Sequence, residues 1–163
     1  MAKEKNTGPL QASEYIALAE FRYQLRRFLR HMEEEVREFG VNPQQYQLVL
    51  ALKGLPKDQV PTISRLADRM QLNHNSMVEL VDRCEERGLI RRGRTGTDRR
   101  QVNLSITPDG EALLRKLGSA ARQELKNIGP ELVDSVLHLT KKSARTASRT
   151  GKQKKATAKK AGA

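Results

Sequence analysis

The chain has 163 residues and a formal net charge of +12, and 37% of its residues are hydrophobic but only 4% aromatic, which suits one small domain that borrows some burial from a partner subunit. No run of about 18 apolar residues is present and residues 1–9 lack an apolar stretch, so we expect neither a membrane span nor a secretory signal, and we expect a cytoplasmic protein. A single cysteine argues against an internal disulfide and a cysteine-rich zinc site, and no phosphate loop, catalytic acid pair or nucleophile motif indicates an enzyme.

The first predicted element is a long helix over residues 13–38, which follows a flexible segment over residues 1–12. Ser13 can cap this helix, and Glu14 favours its first turn. Its apolar side chains recur every three or four positions: Leu18, Phe21, Leu25, Phe28, Met32 and Val36. At 1.5 Å per residue the helix would be roughly 39 Å long, which is more than one small core can cover. Part of it is therefore expected to pack on something outside that core.

A second helix is predicted from Pro43 to about Leu52. Asn42 can cap it, and proline suits the first helical position because its missing N–H is not needed there. Gly40 separates it from the first helix, and a polar connection follows over residues 54–61.

Two short helices with a tight polar turn between them come next. Thr62 can cap the first, which spans residues 62–70, and Asn73 can cap the second, which Gly88 ends. The apolar residues that recur at helical spacing are Ile63, Leu66, Ala67 and Met70 in the first helix and Met77, Leu80, Val81 and Cys84 in the second. Such a pair of helices is typical of a helix-turn-helix.

Beyond Gly88 the pattern changes to two short strands, residues 89–92 and 101–106, joined by a glycine-containing loop. The charged side chains of the loop are Arg94, Asp98, Arg99 and Arg100. Three guanidinium groups on a small loop suit a nucleic-acid backbone or a minor groove, and the carboxylate can hold a neighbouring arginine in place. A helix-turn-helix followed by this hairpin predicts a winged helix-turn-helix.

The last predicted elements are helical. Thr107 and Pro108 begin a helix that is predicted to run to about residue 127. The Gly-Pro pair at 129–130 is predicted to interrupt it before a short last helix over residues 131–139. The first helix and these last ones lie outside the DNA-binding unit, so a second copy of the chain is expected to cover their apolar faces.

The positive charge is concentrated in residues 141–163, which hold nine Lys or Arg and no Asp or Glu and leave only +3 for the rest of the chain. This tail has no apolar side chain larger than alanine, so burial cannot offset the entropy of ordering it, and we expect it to be disordered. Its composition resembles the Lys/Ala tails of histone-like bacterial proteins and suits sequence-independent phosphate contacts. The alternative is a solvated extension without a role.

This order of elements and several short motifs resemble the multiple-antibiotic-resistance regulator (MarR) family of bacterial winged-helix transcription factors. The motifs are LA at 66–67, LVDR at 80–83, ERGLI at 86–90, DRR at 98–100, and LSIT at 104–107 followed by Gly110. Glu79 and Cys84 depart from the residues that relatives usually carry there. The resemblance covers residues 13–140 and implies a mainly α fold with a small β-hairpin wing. It further implies that residues 43–106 bind DNA and that helices over about 13–38 and 108–140 form a dimer.

In a two-fold dimer, two recognition helices about 34 Å apart can enter successive major grooves, which predicts a palindromic operator. The residues expected in the dimer interface are Leu18, Phe21, Leu25, Leu113, Leu114, Leu132 and Val136. The alternative is that these apolar stripes belong to the core of one subunit.

The candidate DNA-binding residues fall into three groups. Around the recognition helix they are Asn73, His74, Asn75, Ser76 and Glu79. On the preceding helix they are Ser64 and Arg65, and on the wing Arg94, Arg99 and Arg100. Asn75 can pair with adenine through two hydrogen bonds. The resemblance implies that Arg99 reaches the minor groove while Asp98 and Arg100 hold the wing in shape.

Many MarR proteins bind small aromatic acids, and this resemblance implies a small aromatic or phenolic effector held by Phe28, Met32 and Tyr46. The alternative is that these residues are core. The sequence indicates no cofactor or metal, because His31, His74 and His138 are scattered, and Cys84 is expected to be buried rather than redox-active.

Together these features predict a homodimeric, sequence-specific transcriptional regulator that binds double-stranded DNA. A repressor is favoured because a dimer seated on a promoter blocks polymerase without further machinery. The main alternative is a nucleoid-associated architectural protein in which the basic tail dominates and sequence preference is small. A winged helix that binds a protein partner is a third possibility.

Overall fold

A computed structural model describes residues 9–94 and 102–140 of the chain. The elements in chain order are α1 (Ala12–Glu38), α2 (Pro43–Lys53), α3 (Ile63–Met70), α4 (His74–Glu86), β1 (Ile90–Arg94), β2 (Val102–Ile106) and α5 (Pro108–Thr140). The prediction of a mainly helical fold with a two-stranded hairpin is confirmed. Asp98, Arg99, Arg100 and the tail over residues 141–163 lie outside the described residues.

Polar side chains cap the three helices that follow α1, as the sequence predicts. The Asn42 side chain accepts a hydrogen bond from the Gln44 backbone N–H at 2.9 Å, and Asn42 forms a capping box with Gln45. Thr62 Oγ1 accepts from the Arg65 N–H at 3.3 Å. Each cap satisfies a backbone donor that the first helical turn leaves without a partner, so the positions where α2 and α3 begin follow from local chemistry.

The hydrophobic core lies in a unit formed by Arg27–Asn127. Its fully buried side chains come from every helix of the unit and from the hairpin: Val36, Leu48, Val49, Leu66, Met77, Leu80, Val81, Cys84, Ile90 and Leu117. These are the apolar stripes that the spacing of three and four predicts for the central helices. The core fixes α3 and α4 on a common base and leaves their other faces to solvent.

The hairpin pairs β1 and β2 antiparallel, with Ile90 opposite Ile106 and Arg94 opposite Val102. The segment before α3 adds a short third edge, because the Leu104 N–H donates to the Pro61 carbonyl at 2.9 Å and Thr62 forms a bridge with Asn103. This edge joins the base of the hairpin to the start of the helix-turn-helix.

The predicted break at residues 129–130 is wrong, because α5 continues from Pro108 to Thr140 with Pro130 inside it. A proline there removes one backbone donor, but the residues on either side keep helical geometry. Ile128 is buried just before the proline, and the Ser135 hydroxyl donates to the Glu131 carbonyl at 2.7 Å just after it. Burial of Ile128 beside the proline favours continuation of the helix despite the missing bond.

Residues 9–26 and 128–140 belong to a second unit of the chain, which holds the first part of α1 and the last part of α5. Ala17, Gln24, Ile128 and Ser135 are buried in it, whereas many of its large apolar side chains are exposed. Across the part of the chain that the structure describes, no helix combines the length and apolar character that crossing a membrane requires.

Candidate nucleic-acid interface

The turn between α3 and α4 gives these helices the geometry of a helix-turn-helix. Gln71 takes a left-handed conformation with φ 55°, and the Leu72 N–H donates to the Ala67 carbonyl at 3.0 Å. The chain then reverses within a few residues, and the Asn73 side chain accepts from the Ser76 N–H at 2.8 Å to begin α4. Asn73 is thus engaged in starting the recognition helix, whatever else its amide group contacts.

The two faces of α4 differ sharply in polarity. Met77, Leu80, Val81 and Cys84 are buried, with Met77, Val81 and Cys84 at 0% exposure. The exposed residues on the opposite side of α4 are His74, Asn75, Glu79, Arg83 and Glu86. Ser76 is half-buried beside the cap. A helix with this exposed polar face can place short side chains against base edges in a major groove.

The preceding helix adds two exposed polar side chains at its N-terminal end, Ser64 and Arg65. They follow the Thr62 cap directly, in the turn where backbone N–H groups favour anions. This position is compatible with contact to the phosphate backbone, which stays a prediction for both residues.

A cluster of charged side chains ties the hairpin to α4. The Arg92 backbone N–H donates to Glu85 Oε1 at 2.9 Å, and its guanidinium donates to Glu85 Oε2 at 2.5 Å and to Asp82 Oδ1. The backbone and side-chain hydrogen bonds from Arg92 lower the pKa of Glu85. The strand that leads to the wing is therefore held against the recognition helix by one arginine between two carboxylates.

Residue spacing along the sequence does not predict this Arg92 cluster. The sequence does hold two features of this cluster. Asp82 and Glu85 are three positions apart and so share one face of a helix, and Arg92 points to the opposite face of its strand from Arg91. The pairing itself depends on how the strand crosses the helix, which spacing alone does not fix. Of the predicted wing residues, Arg94 ends β1, and Asp98, Arg99 and Arg100 lie outside the described residues.

Cys84 lies on the buried stripe of α4. Burial raises the pKa of its thiol to about 12, and the nearby Arg83 lowers it by a smaller amount. The thiolate is the reactive form of cysteine, so this side chain acts as a small apolar core residue at neutral pH.

A cleft of about 650 Å³ lies within the Arg27–Asn127 unit. Phe28, Met32 and Tyr46, the three residues predicted to hold an effector, all line it. Its other lining residues include Leu29, Val36, Leu50, Ala51, Met70 and the charged Glu33 and Arg69. The volume and the largely apolar lining with a few polar groups fit a small organic molecule.

The residues predicted for a dimer interface fall in different environments. Leu18, Leu25 and Val136 are exposed, and Phe21 and Leu132 are partly exposed. Leu113 instead lies in the hydrophobic core of the winged-helix unit, and Leu114 packs against that core. The helical spacing does not separate these cases, because both stretches of α5 carry the same apolar pattern.

Within residues 9–94 and 102–140, no group of three or more His, Cys, Asp or Glu side chains is placed to hold a metal ion.

Comparison with known proteins points to one family. A family model described as MarR family matches residues 39–101. The chain is 29% identical to the transcriptional repressor MdtR of Bacillus subtilis (strain 168) over 126 residues, which span 75% of this chain and 79% of MdtR. The match to the Thauera aromatica regulatory protein for the hcr operon is 31% identical over 96 residues and spans 56% of that protein.

Solved structures share the fold. The crystal structure of AbsC, a MarR family transcriptional regulator from Streptomyces coelicolor, superposes with a TM-score of 0.63 at 20% identity and covers 80% of this chain and 93% of AbsC. MepR of S. aureus, in a complex with DNA, superposes with a TM-score of 0.52 at 19% identity and covers 86% of this chain and 93% of MepR. At these identities the likeness is one of architecture, a winged helix-turn-helix with long terminal helices.

Proposed function

We infer from these matches that the chain belongs to the MarR family of DNA-binding transcriptional regulators, and from this premise we propose that it is a repressor that binds a palindromic operator as a homodimer. One observation carries the proposal. The exposed face of α4 is polar along its length, while the opposite face is locked into the core. The buried face fixes the position of the helix that carries Asn75, and reading base edges requires a side chain on such a rigid element.

The homodimer is supported by the apolar surface of residues 9–26 and 128–140. The exposed large apolar side chains there include Tyr15, Ile16, Leu18, Leu25, Val133, Val136 and Leu137. Ile16 is 71% exposed, and leaving so many apolar groups in water is unfavourable by roughly 25 cal/mol per Å². A second copy of the chain would cover the apolar side chains of residues 9–26 and those of residues 128–140. The two-fold axis of such a dimer would match the symmetry of a palindromic operator. The proposed interface leaves out Leu113 and Leu114.

The effector proposal rests on the cleft that contains Phe28, Met32 and Tyr46. An aromatic or phenolic ring would contact the apolar lining, and the guanidinium of Arg69 offers a partner for an acidic or phenolic oxygen. Burial raises the pKa of Tyr46, so its hydroxyl stays protonated and available as a donor. Binding there would release the repressor by favouring a spacing of the recognition helices that does not fit the operator.

This effector site can be tested with benzoate and salicylate derivatives by isothermal titration calorimetry. Leu50 lines the cleft and is half exposed, so Leu50→Trp should fill the cleft without disturbing the core. Loss of ligand binding in Leu50→Trp, with an unchanged unfolding midpoint, is the expected result. Unchanged affinity in this variant would place the ligand elsewhere.

The function itself is tested by selecting genomic fragments with the purified full-length chain at about 0.15 M salt, where weak nonspecific contacts are screened. We expect the selection to enrich one palindromic site. We also propose that the protein is located in the cytoplasm, at the nucleoid. Asn75→Ala should reduce enrichment of that site, and Gln59→Ala, in the loop before α3, serves as the matched control. Recovery of all fragments alike would favour the architectural protein instead.

A further inference from the structure

The acidic residues of α4 divide into those with a partner and those without one. Asp82 and Glu85 are held by Arg92. Glu79 is exposed and forms no hydrogen bond or ion pair within the described residues. Among the described residues, Glu79 and Glu86 are the exposed acids of α4 without a hydrogen bond or ion pair, and Glu79 is the one in the middle of the helix.

Glu79 lies in the line of side chains that would face DNA. It follows Asn75 by one turn and precedes Arg83 by one turn, and all three are exposed opposite the buried stripe. At 1.5 Å per residue, Glu79 lies about 6 Å from Asn75 along the helix axis. A helix in the major groove is inclined to the duplex axis, so side chains one turn apart would meet base pairs about one to two steps apart.

A carboxylate in this position meets an unfavourable field, because the phosphates on both sides of the groove are negative. On the DNA itself, the groups that can compensate it are hydrogen-bond donors on base edges. In the major groove the amino groups of cytosine and adenine are the donors, but adenine places the N7 acceptor beside its amino group, and that lone pair repels a carboxylate. Guanine and thymine present acceptors, and thymine adds a methyl group. Cytosine is therefore the base that a glutamate in this position selects.

We propose that Glu79 is a specificity-determining residue that reads one cytosine in each half-site, about one to two base pairs from the pair that Asn75 contacts. This inference rests on the proposed function. The carboxylate accepts a hydrogen bond from the cytosine N4 amino group at the operator and is repelled by phosphates and acceptor-rich edges elsewhere. Glu79 thus lowers affinity for nonoperator DNA more than it raises affinity for the operator.

The substitution Glu79→Gln gives a sharp test because it preserves shape and exchanges the carboxylate for an amide. Glutamine can donate to N7 and accept from N6 of adenine at once. We expect selection from a randomised duplex library to enrich cytosine at one symmetric position with the wild-type chain and adenine there with Glu79→Gln. Nonspecific affinity should rise by about tenfold or less, because a repulsive charge is removed.

Glu86→Gln is the matched control, since Glu86 is an exposed acid on the same helix, two turns further on, with no ion pair described. It should change nonspecific affinity slightly and leave the preferred bases unchanged. A wild-type site that Glu79→Gln reads with identical base preference would overturn the inference while leaving the proposed function intact. Failure of the wild-type chain to enrich any site would overturn the proposed function and the inference with it.

A second measurement uses the wild-type chain alone, so it does not depend on how the variants fold. Each base pair of the selected half-site is replaced in turn and the affinity is measured by competition. Replacing the cytosine should cost about tenfold or more in affinity, as expected for loss of a specific base contact. A half-site whose binding does not depend on any cytosine would also overturn the inference.

Discussion

At the scale of single residues, Gly110 shows the closest packing around the base of the hairpin. A Cβ atom at this position would lie 2.3 Å from the Leu89 carbonyl oxygen and 2.7 Å from Cγ2 of Ile106. The Thr107 hydroxyl donates to the Gly88 carbonyl and accepts from the Gly110 N–H at 3.1 Å, which draws the start of α5 against the hairpin. We therefore expect Gly110→Ala to lower the free energy of unfolding by about 1–3 kcal/mol.

Gly118 provides the matched control for Gly110, since it lies in the same helix and nothing is within 4 Å of its added Cβ. Gly118→Ala should raise the free energy of unfolding by roughly 0.5–1 kcal/mol, because alanine loses less backbone entropy in a helix. Urea denaturation of both variants measures the difference. Equal effects of the two substitutions would contradict the packing argument.

Cys84 is predicted to be unreactive in the folded protein. Its side chain is 0% exposed and burial raises its pKa to about 12, so almost no thiolate exists at pH 7. Iodoacetamide should label the native chain very slowly and the urea-unfolded chain completely, as read by mass spectrometry. Peroxide should likewise leave operator binding unchanged. Rapid stoichiometric labelling of the native chain would show that the thiol is accessible, and it would contradict the prediction that Cys84 is unreactive.

At the scale of elements, the Arg92 cluster connects the wing strand to the recognition helix. Arg92→Gln should lower the free energy of unfolding by about 1 kcal/mol, since the ion pairs are partly exposed and solvent screens them. Its effect on operator affinity should be larger, because the wing loses its fixed orientation relative to α4. Arg91→Gln, exposed on the other face of the same strand, should leave stability nearly unchanged.

The pH dependence of this cluster follows from Glu85, whose folded-state pKa lies below its ordinary value of about 4.3. A lowered pKa means that the carboxylate stabilises the fold above the ordinary value and loses this effect as the pH falls through the lowered one. The stability gap between wild type and Arg92→Gln should therefore be complete at pH 7 and shrink below about pH 4. A gap that is constant from pH 7 to pH 3 would contradict the ion-pair argument.

The order of the elements could be predicted from the sequence because it is encoded locally. Thr62 and Asn73 are cap residues, and both apolar stripes of the helix-turn-helix have helical spacing. The Gly-Pro pair in α5 is also a local signal, but tertiary burial of Ile128 overrides it. The sequence pattern of Leu113 fits an interface as well as a core, because buried core positions and buried interface positions share one helical spacing, and Leu113 lies in the core. Packing decides which surface each apolar stripe contacts, and residue spacing alone does not determine it.

The candidate site likewise combines features that the local sequence encodes with features that only the packing decides. The outward face of α4 and the three cleft residues Phe28, Met32 and Tyr46 could be predicted, because each set depends on helix periodicity and on the resemblance to a known family. The Arg92 cluster could not, since it joins residues from a helix and a strand whose crossing is set by the core. Contacts between elements therefore require the fold before they can be assigned.

At the scale of the whole molecule, dimerisation should depend on the exposed apolar side chains of residues 9–26 and 128–140. Ile16→Glu places a charge at a side chain that is 71% exposed, so the substitution is tolerated in one copy and unfavourable in an interface. Sedimentation equilibrium should give twice the 18.4 kDa chain mass for wild type and a single chain mass for the variant. Val60→Glu, exposed in the loop before α3, should remain dimeric.

The affinity of the Ile16→Glu variant for the operator is a second, independent test of the dimer. Ile16 and the DNA-binding residues belong to different units of the chain, so loss of operator binding in Ile16→Glu would reflect loss of the paired half-sites. A wild-type chain that sediments as a single copy would overturn the homodimer. A dimer that persists in Ile16→Glu would place the interface on another surface.

The basic tail is predicted to add phosphate contacts to DNA binding, and its charge makes such a contribution measurable. Residues 141–163 carry nine of the cationic side chains and no acid. Each phosphate contact adds about −0.9 to the slope of log affinity against log salt, so replacing these nine Lys and Arg with Gln should make the slope shallower by several units. In a regulator, this variant keeps its preference for operator over random DNA, because base edges are read by α4. In an architectural protein, the same variant loses tight binding altogether, and the wild-type chain shows little preference to begin with. Filter binding of both chains to operator and random duplexes from about 0.05 to 0.3 M salt separates these outcomes, and we expect a shallower slope with the preference unchanged.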